Sequence, residues 1–157
     1  MWEYFIGGQF ISLIKKPGLD FAFSTLQSTT GTILSSIKYL TTNDQPSVKD
    51  ACAVIDKMDL EAKIKFIQSF NLDLQNDQDK MSNSVKVALA QVIEITELVD
   101  KELDEFRTRL HRHNKKYFVN WRSFNCEDLL INLQNHKTKL DDRLNLLLKA
   151  CSTAIHL

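Results

Sequence analysis

The sequence predicts an all-α protein, a helical bundle built on a long antiparallel helical hairpin (about 82–115 and 126–155) and covered at one end by shorter N-terminal helices. Three observations carry that expectation. Apolar residues recur in alternating steps of four and three along a chain of 157 residues that is 43% hydrophobic. Only four glycines and two prolines interrupt them. The two longest runs also match each other: Val85, Leu89, Val92, Thr96, Val99, Leu103, Phe106 and Leu110 on one arm, and Cys126, Leu130, Leu133, Lys137, Leu140, Leu144, Leu147, Cys151 and Ala154 on the other, both average the 3.5-residue repeat of a coiled coil.

The chain opens with MWEYFIGGQFISLIKK, which lacks a basic leading region, is broken by Glu3 and Gly7-Gly8, and reaches Lys15-Lys16 too soon to span a bilayer. Neither a signal peptide nor a transmembrane helix is expected. Trp2, Phe5, Ile6, Phe10, Leu13 and Ile14 nevertheless place more apolar surface before Pro17 than a bare tail should expose. Two outcomes stay open: docking on the bundle, as apolar stripes usually do, or anchoring to a membrane interface or a partner, with the lysine pair at the head-group level. Residues 1–16 are thus a candidate separate amphipathic segment of an otherwise single all-helical domain, 1–157.

A helix is expected from Pro17-Gly18 to about Leu40, because Leu19, Phe23, Leu26, Thr30, Ile33, Ile37 and Leu40 continue the four-three spacing. Its other faces are mostly Ser and Thr, and Gly31 in its middle costs about 1 kcal/mol relative to Ala, so packing must hold it. Thr41 to Pro46 is rich in turn-forming residues and reads as a linker. Ser47-Val48-Lys49-Asp50 resembles an acidic relative of a capping box and starts a short helix to about Lys57, with Val48, Cys52 and Ile55 inward. Asp59 is placed to cap the next helix, whose inner stripe is Leu60, Ile64, Ile67 and Phe70 and whose Glu61, Lys63 and Lys65 are expected to face water. Asn71 to Asn83, dense in Asn, Asp and Gln, reads as the connection to the hairpin, although Leu72 and Leu74 would allow the helix to run on.

If the hairpin reverses near 114–125, equal rise on both arms pairs residues whose numbers add to about 240, so that Leu103 faces Lys137 and Thr96 faces Leu144. Lys137 is then a seam charge, either pinning the register against Glu102 or Asp104 or laying its stem over the seam with its ammonium in water. The second arm is also apolar at Leu146, Leu148 and Ile155. A two-helix hairpin cannot bury that width, so the N-terminal helices are expected over the end that holds Val85–Val92 and Leu144–Ile155, with the turn end projecting.

Twenty basic and twenty acidic residues cancel, so the overall field nominates neither nucleic acid nor an anionic membrane. Cys52, Cys126 and Cys151 are widely spaced and odd in number, which argues against a disulfide framework or a CxxC site and for reduced, buried thiols in a cytoplasmic compartment. No phosphate loop, GxSxG, HExxH or dinucleotide fingerprint occurs, so no enzyme, catalytic residue, cofactor or metal is expected. His111 and His113 project about 200° apart on a helix, too divergent to share a metal. The carboxylates Glu94, Glu97, Asp100, Glu102, Asp104 and Glu105 share faces as a di-iron bundle requires, but no Glu-x-x-His accompanies them, so a solvated acidic face is expected.

The largest compositional shift lies at the turn. From Arg107 to Cys126 there are six cations, Arg107, Arg109, Arg112, Lys115, Lys116 and Arg122, and no acid, with Tyr117, Phe118, Trp121 and Phe124 interleaved. Either the aromatics plug the hairpin while the cations complement the negative end of the first helix, or the tip is a docking site. On the second reading Arg109, Arg112, Lys115, Lys116, Tyr117, Phe118, Trp121 and Arg122 bind an acidic or phosphate-bearing protein surface, which makes the chain a non-catalytic interaction or assembly module. The seams match within one chain, which favours a monomer, with pairing between chains in a homo-oligomer as the alternative. The competing expectation is a peripheral membrane protein anchored through Trp2, Phe5, Ile6, Phe10 and Leu13. Nucleic acid is disfavoured as a partner.

Overall fold

A computed structural model gives the fold and describes residues 16–43, 45–116 and 123–155. Five α-helices account for nearly all of the described residues: α1 (Lys16–Thr41), α2 (Pro46–Lys57), α3 (Leu60–Asn76), α4 (Asn83–Asn114) and α5 (Glu127–Ile155), with a short 3-10 turn at Gln78–Lys80 before α4. No strand occurs among them, and the protein is all-α. No helix among the described residues is long and apolar enough to cross a membrane.

The inner stripes are those that the four-three spacing predicts. Every seam residue of the first arm, from Val85 to Leu110, is buried on α4, and so are Leu19, Phe23, Leu26, Ile33, Ile37 and Leu40 on α1. Two seam positions are polar, Thr30 and Thr96, and both are fully buried. Each hydroxyl donates to the carbonyl one turn earlier, Thr30 to Leu26 at 2.8 Å and Thr96 to Val92 at 2.6 Å, so neither side chain leaves an unpaired group inside. On α5 the stripe is shifted by one position near its start. Leu129 rather than Leu130 is buried, and the inward line runs through Cys126, Leu129, Leu133, Leu140, Leu144 and Leu147.

Contacts between α4 and α5 run in opposite directions along the two helices. Arg109 meets Asp128, Glu102 meets Asn132 and His136, and Arg143 meets Glu94 and the carbonyl of Gln91. The paired numbers add to about 236, one turn from the spacing-based register at 1.5 Å per residue. That turn decides the fate of Lys137. It points away from Glu102 and Asp104 and toward α3, where it and Lys63 share the carboxylate of Asp141. Glu102 instead lies 3.8 Å from His136 Nε2. Lys63, expected in water, is drawn half under the α3–α5 seam by the same carboxylate.

The covering helices extend further along the hairpin than expected. Ser36 Oγ accepts from Arg107 at 3.3 Å, and the Arg107 guanidinium lies 5.0 Å above the Tyr39 ring. The C-terminal part of α1 therefore reaches nearly to the tip, and the turn end does not project alone. The reason is length: at 26 residues α1 is almost as long as the 32-residue α4 and packs alongside it, burying Ala90 and Ile93 as well as the seam. At the far end Val87 and Leu146 stay 38% and 50% exposed.

The helix ends explain three further differences. α2 starts at Pro46, whose missing N–H and fixed φ suit a first helical position, and Gln45 rather than Ser47 is the extended residue before it. Asp59 does precede α3, but in the left-handed region with φ 54° and without a side-chain cap bond. It serves as the αL residue that closes α2 and lets the chain re-enter a helix at once. Finally, α3 continues through Asn71 to Asn76, because Leu74 is buried and the Asn71 amide, also buried, donates to the carbonyl of Phe23 at 3.0 Å. Ser82 caps α4 by accepting from Val85 N at 3.3 Å.

Candidate functional site

The tip is built where the last turns of α4 meet the first turn of α5. Phe124 enters the bundle edge-on between Phe106 and His113, with ring centroids 5.4 Å from each. Both Phe106 and His113 are buried, so this aromatic closes the hairpin rather than facing a partner. His113 Nε2 has no hydrogen-bond partner among the described residues.

The cations of the tip divide into two groups. Arg107 is spent on α1 through Ser36 and Tyr39. Arg109 is spent across the hairpin, where Nη1 and Nη2 donate to the two Asp128 oxygens at 2.8 and 2.9 Å while Nε donates to Glu105 at 3.0 Å. Its bonds to Asp128 and then to Glu105 hold the guanidinium well above its ordinary range, and Arg109 in turn holds the Asp128 carboxyl low. A bidentate pair of this kind fixes orientation, so Arg109 belongs to the hairpin's own architecture. Arg112, Lys115 and Lys116 are different: all three are exposed, and no ion pair among the described residues involves them. Arg112 lies in the last turn of α4, where a cation complements the exposed carbonyls, and Lys115 is the residue that ends the helix.

Tyr117, Phe118, Trp121 and Arg122 of the predicted docking set lie outside the described residues, as do Trp2, Phe5, Ile6, Phe10 and Leu13 of the predicted anchor. Arg112, Lys115 and Lys116 thus lie at one end of the bundle, and Arg109 is paired with Asp128 and Glu105.

The acidic face of α4 holds two carboxyls above their ordinary range. Glu97 is raised by burial and then by Glu94 and Asp100; Asp100 is raised by burial and by Asp104. Among the described residues no group of three or more His, Cys, Asp or Glu side chains is placed to hold a metal ion. The thiols of Cys52, Cys126 and Cys151 are all free and all raised by burial, which makes each a poorer nucleophile. Cys52 donates instead to the carbonyl of Leu40 at 2.9 Å, tying α2 to the end of α1.

Sequence reasoning missed the polar staples. Lys63, Asp141 and Lys137 join α3 to α5, and Asn71 joins α3 to α1, yet each residue has a type that is common in solvated positions. A usable signal was the seam position of Lys137, which required an acid within reach. Asp141, four residues on, supplies it at 3.0 Å. Compared with protein-family models, with curated proteins and with solved structures, the chain matches none.

Proposed function

We propose that the chain is a non-catalytic helical module that acts as a monomer and docks through its tip onto an acidic or phosphate-bearing protein surface. One observation carries the reading. In a run without any acid from Arg107 to Cys126, Arg107 and Arg109 are consumed by internal partners while Arg112, Lys115 and Lys116 are exposed. Surface cations without a folding role contribute little to stability but steer association strongly, because their field reaches about 10 Å into solvent at 0.1 M salt. The end of α4 carries all three within five residues of one another. Arg109, locked to Asp128 of α5, ties the end of α4 that carries them to the second arm.

The test reverses the three charges together, Arg112→Glu, Lys115→Glu and Lys116→Glu. Binding to native partners, compared with wild type in a pull-down over a salt series, should be lost, and wild-type binding should weaken as salt rises. The melting curve should move by less than about 1 kcal/mol of stability, as expected for exposed charges. A triple variant that captures every partner as wild type does at low salt rules the docking site out.

A further inference from the structure

A groove opens between α4 and α5 at the end of the bundle remote from the tip, lined by Asn83, Ser84, Val87, Ala88, Leu146 and Ala150, with a cavity volume of about 380 Å³. Its floor is small side chains and its rims are Val87 and Leu146, so it is a concave apolar surface that no described helix covers. The first described helix begins at the same end of the bundle. Ser36 and Arg107 are in contact and 71 residues apart. α4 stops at Asn114, about two turns beyond Arg107, whereas most of α1 precedes Ser36. The two helices can therefore pack along their length only by running in the same direction, which puts the start of α1 at the level of residue 87, at the same end of the bundle as the groove and one helix away from it.

We propose that the groove is the docking site for the chain's own first fifteen residues. They carry the occupant's chemistry: Trp2, Phe5, Ile6, Phe10, Leu13 and Ile14 offer apolar side chains with only Glu3 and Lys15 charged. They also have the reach, since fifteen residues extend to about 50 Å while crossing one helix takes about 10 Å. The two surfaces account for each other. α5 carries more apolar width than α4 can bury, and residues 1–15 carry more than an exposed tail should show. Because attachment is intramolecular, even modest contacts act at a high effective concentration. An anchor held in this way reaches a membrane or a partner only by leaving the groove, so the groove competes with both.

Trp2 reports the docking. The chain has two tryptophans, and Trp121→Phe leaves Trp2 alone. Its emission should be blue-shifted relative to indole in water and shielded from acrylamide, independently of protein concentration. Leu146→Asp, at a position half-exposed and so tolerant of the change, should shift that emission to the red and raise the quenching constant severalfold while far-UV circular dichroism is unchanged. Should Trp121→Phe disturb the tip, the same comparison runs in the otherwise native protein: Leu146→Asp must alter its emission and must fail to do so when Trp2→Phe is also present. Water-like Trp2 emission overturns the proposal, as does emission that shifts only on adding phosphatidylserine vesicles or only at high protein concentration. A blue-shifted Trp2 that ignores Leu146→Asp places the segment elsewhere and overturns it too.

Discussion

Asn71 shows what one buried amide does in this bundle. Its Nδ2 donates to the carbonyl of Phe23 at 3.0 Å and reaches Gln27 Oε1 at 3.4 Å, fixing how far α3 slides along α1. Truncating it leaves a small void and removes a directional bond, so Asn71→Ala should lower the unfolding free energy by about 1–3 kcal/mol in denaturant melts. A change below about 0.5 kcal/mol, the range of ordinary surface substitutions, would show that the bond is incidental. This residue was not legible in the sequence. It opens a run of Asn, Asp and Gln that reads as a linker, and only Leu74, seven residues after Ile67, signals that the helix continues. Lys63 and Lys137 were misplaced for a related reason: a lysine between a seam and a solvated face has no residue-type mark of which partner claims it. Leu140, Leu133 and Phe106, by contrast, follow from spacing alone, because no polar preference competes with their burial.

At the scale of the element, periodicity fixes which face of each helix is buried, and packing rather than propensity makes the helices form. α1 is the clearest case. It is rich in Ser and Thr, several of which bond back to the preceding turn, as Thr30, Thr32, Thr41 and Thr42 do, and it carries Gly31 in its interior. A Cβ at Gly31 would meet nothing within 4 Å, so the glycine is not required by any close approach. Gly31→Ala should raise stability by about 1 kcal/mol, seen as a higher denaturant midpoint at unchanged slope. A destabilising result would mean that a neighbour moves into that space. The helix ends were less legible than the faces. Pro46 and Asp59 are visible in the sequence, but Pro46 at a first helical position displaced the Ser47 box, and Asp59 works through its backbone angle instead of its carboxylate. The relative slide of α4 and α5 differed from expectation by one turn, since a seam of near-identical leucines matches almost as well when shifted, and ion pairs such as Arg109 with Asp128 choose the register.

On the scale of the whole molecule, four long helices close around one core, and the closure is unequal. α4 packs along both α5 and α1, and α1 packs along α3; Lys63, Asp141 and Lys137 bridge α3 and α5. Burial alone would raise the Asp141 carboxyl, but the two lysines outweigh it and hold the group below its ordinary value, with Asp141 in turn raising Lys137. A carboxyl lowered in the folded state stabilises at pH above its unfolded value, here near 3.8, and that contribution is lost as pH falls through the lower folded value. The group is partly exposed, with 29% of its side-chain surface accessible, so screening limits the effect to about 0.5–1 kcal/mol at neutral pH. Asp141→Asn should therefore lower stability at pH 7 by that amount and converge with wild type in acid, below the folded value. Glu97→Gln should act in the opposite sense at neutral pH, because partial burial and then Glu94 and Asp100 raise the Glu97 carboxyl and its ionised form costs stability once pH exceeds the ordinary carboxyl range; Glu97 is exposed, so screening keeps that effect small. Paired melts of the two variants from acid to neutral pH separate the staple from the acidic face. If Asp141→Asn matched wild type at pH 7, the α3–α5 seam would be held by apolar packing, and the ion triad would be ornament on a closed bundle.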